Sequence, residues 1–237
     1  MPGTELKAVG EQQDPVPIEV RKGLLLEMAV LVSVLFVPTF LGQFLGFSSL
    51  TYRLVTPEGM LYRIVSDGTH LLLILYVAFV LRRSNPVAKL GFDFNWDIPI
   101  GILLFCASRV IWTVVSPLTS GRSAPLVPTL HEWEGPLWSL LLLTLAIATG
   151  AFYQELLMRW YLISRLEQIG TRTWQAVVIS TILFSAWHIY LGPAGAIHAV
   201  CAGLLYATCF VLTRRIGAIV IAHFLWNFIL YYQYGHL

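Results

Sequence analysis

Apolar runs long enough to cross a bilayer recur along this chain, parted by short polar connections. The pattern predicts seven membrane helices, at about 24–47, 61–81, 98–118, 137–163, 173–191, 195–213 and 217–235. Pro38 is expected to kink the first. Residues 1–20 are polar, contain three prolines and read as a disordered cytoplasmic tail. The connection 116–136 holds four prolines with Ser, Thr and Gly, and reads as a loop. It divides the chain into amino-terminal membrane helices over 21–135 and a functional core over 136–237. The fold class is all-α, a polytopic transmembrane bundle of seven spans. An eighth or re-entrant helix would reverse the carboxyl end.

Lys and Arg beside the spans set the orientation. Arg21 and Lys22 precede the first helix, and Arg82, Arg83 and Lys89 follow the second. Arg165 and Arg172 flank the loop after the fourth, and Arg214 and Arg215 follow the sixth. These fall on every second connection, so the amino terminus is expected in the cytoplasm. The opposite connections offer Arg53, Arg63 and Arg122. Trp96, Trp133, Trp138, Trp174, Tyr231 and Tyr232 lie near span ends and read as interfacial anchors.

Composition narrows the class further. Of 237 residues, 57% are hydrophobic and 12% charged, whereas soluble domains carry about 25% charge. The lipid bilayer is therefore an expected partner. A net charge of +2 without a basic run excludes nucleic acid as an expected partner. The three cysteines all lie in apolar segments and read as small buried residues.

Ionisable residues inside such segments are the functional candidates. Glu155 and Arg159, four apart on the fourth helix, share a face, either as part of a site or as an ion pair joining helices. His188 lies on the fifth helix, and His223 and Asn227 lie one turn apart on the seventh. At about 1.5 Å per residue from the cytoplasmic ends, Glu155 lies roughly 16 Å deep, His223 roughly 9 Å and His188 roughly 22 Å. Helix tilt can absorb part of that spread, so a carboxylate and two imidazoles can meet near mid-membrane. Such a set can deprotonate water and stabilise an oxyanion, or it can bind zinc through Glu155, His188 and His223. Among the other polar residues, Arg109 needs an anionic or carbonyl partner inside the bundle, and Glu27 of the first helix is one candidate. Asp67 can pair with His70, and His198 is expected in the core or an interface, with lining of the cavity as the alternative.

Three motifs now stand in order on successive apolar helices: Gln154-Glu155-Leu-Leu-Met-Arg159, Phe184-Ser-Ala-Trp-His188 and His223-Phe-Leu-Trp-Asn227. Over about 137–230 the chain resembles the CAAX protease and bacteriocin-processing family of intramembrane proteases, which includes the type II CAAX prenyl endopeptidases. Lys89-Leu-Gly-Phe92 is similar to that family's short cytoplasmic segment. The resemblance implies an endopeptidase of a prokaryotic cell membrane, acting on a membrane-associated protein or peptide. It implies that Glu155 and His188 activate water, that His223 and Asn227 form the oxyanion hole, and that Gln154, Arg159 and Phe184 support them. No cofactor is favoured, because His-x-x-x-Asn suits an oxyanion hole better than a metal ligand set; zinc is the alternative.

Position 154 departs from the family, which places a first glutamate there. Glutamine cannot accept a proton at neutral pH. Either Glu155 serves as base while Gln154 orients water, or proteolysis is lost and the chain is a non-catalytic module, such as an immunity protein or scaffold. A third account is that position 154 was altered to disarm the site. A small transporter would show helix breaks and repeat symmetry, and the sequence offers neither beyond Pro38.

Overall fold

The computed structural model describes residues 16–44, 56–81, 87, 90–119 and 137–234. Seven helices succeed one another among them: α1 (Ile18–Phe44), α2 (Pro57–Tyr76, continued by a π-helical turn Val77–Leu81), α3 (Phe94–Thr119), α4 (Leu137–Gln168), α5 (Thr173–Trp187), α6 (Gly192–Thr213) and α7 (Gly217–Tyr234). The described residues contain no strand, only a single bridge between Gly91 and Arg215. This is an all-α membrane bundle. The spans Pro57–Val80, Phe94–Thr119, Leu137–Gln168 and Ile189–Thr213 are long and apolar enough to cross a bilayer, while Thr173–Trp187 and Gly217–Leu230 are shorter apolar helices. The expectations for residues 1–15 and 120–136, and for the rings of Trp133, Tyr231 and Tyr232, lie outside the described residues.

Burial follows from the sequence pattern. In α1, Leu24, Met28, Leu31 and Leu35 recur at helical spacing and are buried, while Leu25, Leu26, Val30 and Val34 face outward. Outward apolar side chains occur on most of the helices, as a lipid-facing surface requires. Helix α4 is different. From Leu156 to Ile163 every residue is buried, so this stretch is enclosed on all sides. Trp96, Trp138 and Trp174 remain exposed near helix starts, where interfacial anchors belong.

Cross-helix contacts give the directions. Asp67 lies beside Gly150, His70 beside Tyr153 and Phe79 beside Trp160, so α2 and α4 run parallel. Gly101 meets Ala218, and Arg109 and Trp112 meet Trp226, so α3 and α7 are also parallel. Helix α6 opposes α3, with Tyr206 at Ser108 and His198 at Trp112. These are the relations expected of successive helices that reverse direction.

Polar clamps fix one end of the bundle. Arg215 reaches Asp93 at 3.2 Å and Asp97 at 3.8 Å, and Arg214 grips both Glu167 oxygens at 2.6 and 2.9 Å. Ile216 donates its backbone N–H to the Gly91 carbonyl, 3.3 Å away. The start of α3, the end of α4 and the α6–α7 turn are thereby held together, which sets where α7 begins and hence where His223 stands.

Two expected pairings are corrected. Glu27 does not meet Arg109; it accepts from the Tyr161 hydroxyl at 2.6 Å and from Arg165 Nε at 3.1 Å. Arg165, expected to flank a cytoplasmic loop, is fully buried at the end of α4. Asp67 pairs with Arg63 at 2.6 Å instead of His70, because Arg63 is one turn away on the same face.

Candidate active site

The site forms where α4 changes its winding. Its α-helical bonding runs through Glu155, then gives way to π-helical bonding over Leu156–Ile163. No proline or glycine lies in that stretch. Wide turns of this kind recur at functional sites because they re-aim side chains without ending the helix. Glu155 and Arg159, both fully buried, remain on one face, with Arg159 Nε 3.2 Å from Glu155 Oε2.

Arg159 is held from three directions. Its Nη1 donates to Ser180 Oγ at 2.9 Å, and that hydroxyl donates to the Met158 carbonyl at 2.8 Å. Its guanidinium lies 4.4 Å from the centre of the Phe184 ring. Ser180 and Phe184 stand one turn apart on α5, so one helix face supplies both contacts.

The other oxygen of Glu155 faces α7, where His223 Nδ1 lies 2.7 Å from Oε1. An ionised carboxylate only accepts, so the ring proton is on Nδ1 and Nε2 points elsewhere. Helix α5 stops at Trp187, four residues before the expected end. His188 is its cap, with φ −103° and ψ 8°, followed by a short 3-10 turn Ile189–Leu191. Its Nδ1 lies 2.8 Å from the Phe184 carbonyl. A carbonyl cannot donate, so Nδ1 carries the proton there and the Nε2 lone pair is left for another partner.

Phe184 is the hub. Its ring centre is 4.4 Å from His188, 5.8 Å from His223 and close to Arg159. The two histidine rings are 6.4 Å apart. The structure therefore brings together Glu155, Arg159, Phe184, His188 and His223. Part of the apparent difference in depth disappears because α4 continues to Gln168, which puts Glu155 roughly 20 Å from its helix end, near the value for His188. Gln154 is buried, and its Oε1 has no hydrogen-bond partner among the described residues. Asn227, one turn beyond His223, is half-buried. Its amide makes no hydrogen bond to a described residue, unlike His223.

Ser180, Ser108 and Tyr206 escaped the sequence reading. Tyr206 shares a 3.0 Å hydrogen bond with Ser108 and lies 6.4 Å from His223. Single hydroxyls in apolar helices are common and carry no signal alone. The one available clue was that Ser180 stands two turns before His188, on the motif-bearing face of α5.

Comparison with known families bears on this carboxyl-terminal half. Residues 136–229 match the model of a family described as Type II CAAX prenyl endopeptidase Rce1-like. This part of the chain is similar to the Rce1-like family. The matched segment contains α4 to α6 and most of α7, and with them every residue of the cluster around Phe184. No curated protein matches the chain, and no solved structure does.

Proposed function

We propose that this integral membrane protein is an intramembrane endopeptidase that hydrolyses a peptide bond of a membrane-associated protein or peptide. The observation that carries the reading is the convergence of Arg159, His188 and His223, from three helices, on the Phe184 ring, with Glu155 held between Arg159 and His223, within an Rce1-like segment. The charge pattern beside the spans and the family resemblance support a cytoplasmic amino terminus in a prokaryotic cell membrane.

Water activation belongs to His188 and Glu155, with unequal parts. His188 offers a free Nε2 lone pair and takes the proton of the attacking water. Gln154 Oε1, which lacks a donor, accepts from the same water and aims it. Glu155 is sealed from solvent between Arg159 and His223, so it contributes charge and orientation. As the hydroxide adds to the carbonyl carbon, negative charge moves to the carbonyl oxygen. Asn227 donates to it, and so does His223 in its doubly protonated form, Nδ1–H staying on the Glu155 carboxylate, its counter-charge, while Nε2–H meets the oxyanion. His188 then returns its proton to the leaving amine as the carbon–nitrogen bond breaks.

The reading is metal-free, and its support is how the three zinc-ligand candidates are used. One Glu155 oxygen is bound to His223 and the other faces Arg159, so the residues do not fit a common metal position without breaking those contacts. Among the described residues no group of three His, Cys, Asp or Glu is arranged to hold a metal ion. Gln154 supports a second reading, a non-catalytic membrane module that keeps the buried cluster for stability.

One experiment separates the two readings. Detergent-purified protein is assayed on a quenched-peptide library, alongside Gln154→Glu, Glu155→Gln and His188→Ala. Cleavage by the natural chain, lost in His188→Ala and resistant to chelators, is the expected result. Cleavage only after Gln154→Glu establishes the module.

A further inference from the structure

Arg63, Asp67 and His70 stand at successive turns of one face of α2, and the water-activating steps above use none of them. Asp67 is 4% exposed and meets Arg63 Nε at 2.6 Å through Oδ2. Its Oδ1 makes no hydrogen bond to a described residue. A carboxylate buried in such a pair gains little stability over apolar side chains of the same size, so its place calls for another reason. That reason lies on α4.

The pair rests on Gly150. A Cβ there would lie 3.0 Å from Asp67 Oδ2 and 3.7 Å from Arg63 Nη2, so the charged groups lie against the α4 backbone where glycine leaves room. Gln154 follows four residues later, about 40° around the helix from Gly150 and about 100° short of Glu155. It therefore stands between the α2 pair on one side and Glu155 with His223 on the other. Helical side chains lean back over the preceding turn, which carries the Gln154 amide towards Asp67. Gln154 is buried, yet its Oε1 has no partner among the described residues. His188 approaches the same pair from α5: Tyr190 lies parallel to its ring, 6.4 Å away, and within electrostatic reach of Arg63.

We propose that Asp67 is a positioning residue of the water-activating site. Its Oδ1 accepts, through one bridging water, from the Gln154 amide nitrogen, and so turns Gln154 Oε1 towards the water that His188 deprotonates. This rests on the protease reading and supplies, from α2, the carboxylate that position 154 lacks. A glutamine amide has a donor end and an acceptor end, and it presents Oε1 to the attacking water only when an acceptor holds the NH2 end. An ionised carboxylate is such an acceptor, and a water between the two groups transmits the orientation. A glutamate at 154 would instead face Asp67 with like charge. Glutamine at 154 and aspartate at 67 are in this account one coupled feature.

The test measures kcat, KM and unfolding midpoint in lipid nanodiscs for the natural chain, Asp67→Asn, Gln154→Glu and the double variant, with quenched peptides as substrates. Asp67→Asn is expected to lower kcat about tenfold or more with KM near its natural value, as loss of a positioning contact requires. Gln154→Glu alone is expected to fall similarly, because two carboxylates then face each other. The double variant moves the carboxylate from α2 to α4 and is expected to exceed either single about tenfold. An undiminished kcat in Asp67→Asn, a loss that follows the unfolding midpoint alone, or a double variant no better than its singles overturns the inference and leaves the protease reading intact. If the natural chain cleaves no peptide, the protease reading fails. The unfolding midpoints then decide about Asp67. Gln154→Glu lowering the midpoint in the natural chain but raising it in Asp67→Asn upholds the link between the two side chains, and equal shifts in both backgrounds overturn it.

Discussion

Removing one half of the Glu155–Arg159 pair is the sharpest test of how the site is held. Both side chains are fully buried, 3.2 Å apart, inside the part of α4 that other helices enclose. Glu155→Gln preserves shape and leaves Arg159 charged, with Ser180 and the Phe184 ring as its remaining company. Breaking a buried pair costs about 3–5 kcal/mol, because the surviving charge stays desolvated. The Phe184 contact, worth about 2 kcal/mol in a dry setting, is present in both states and recovers none of this. The expected loss is therefore about 3 kcal/mol or more for Glu155→Gln, and similar for Arg159→Met, which strands the carboxylate with His223 alone. The double variant carries no stranded charge, so it is expected to recover about 2 kcal/mol or more relative to the sum of the singles. Reversible unfolding in mixed micelles, followed by tryptophan fluorescence, measures all four proteins. Singles within about 0.5 kcal/mol of the natural chain, or strictly additive losses, would refute the reasoning. Such a result would mean that water or lipid headgroups reach Arg159.

The same titration checks three other features of the fold. Gly101→Ala would bring a Cβ to 2.8 Å from both the Ala218 carbonyl oxygen and an Ile221 methyl, forcing α3 and α7 apart at a cost of about 1–3 kcal/mol. Gly68→Ala, in α2, has nothing within 4 Å of its new Cβ and is expected to stabilise by about 0.5–1 kcal/mol. Arg214 caps α6 in the left-handed region at φ 54° while its side chain grips Glu167. Replacement by Gly relieves about 1 kcal/mol of backbone strain. That offsets a partly exposed ion pair worth about 0–1 kcal/mol. Arg214→Ala loses the pair and keeps the strain, so it should unfold about 1 kcal/mol more readily than Arg214→Gly; equal stabilities would contradict this.

The helices were legible because apolar runs of such length have few other uses; seven helices stand near the predicted runs, four of them long and apolar enough to cross a bilayer. The motif residues were legible for the complementary reason: Glu, Arg, His and Asn are rare at such depth, so their spacing stands out. Which partner each one finds was not legible. Sequence gives the face of a helix but not its neighbour, and so Glu27 was matched with Arg109 when α1 in fact packs against the end of α4 and reaches Arg165. The winding of α4 was hidden as well. Phe152–Tyr161 reads as ordinary helix, and only the packing around it shows that the bonding widens after Glu155.

The two local irregularities explain why this sequence can build a polar cluster inside an apolar bundle. A straight α-helix through 137–168 would present successive faces at fixed intervals, committing Glu155 and the residues after it to one rotation. The π-helical stretch lets Arg159 stay beside Glu155 while Trp160, Tyr161 and Ile163 are re-aimed into packing, where all three are fully buried. On α5 the helix ends one residue before His188, and the cap conformation turns its ring back onto the Phe184 carbonyl. Continued helix would have spent that carbonyl on the backbone N–H of residue 188 and left Nδ1 to find another acceptor. Gly192, at φ 75°, and Pro193 behind it then restart the chain as α6. The Gly192-Pro193 step starts α6 three residues before the expected position, and the helix before it ends near His188 instead of at 191. The backbone interruption and the free Nε2 of His188 are in that sense one feature. Extending α5 through His188, for instance by replacing Gly192 with Ala, is therefore expected to lower activity more than stability, as comparison of peptide cleavage with the unfolding midpoint would show.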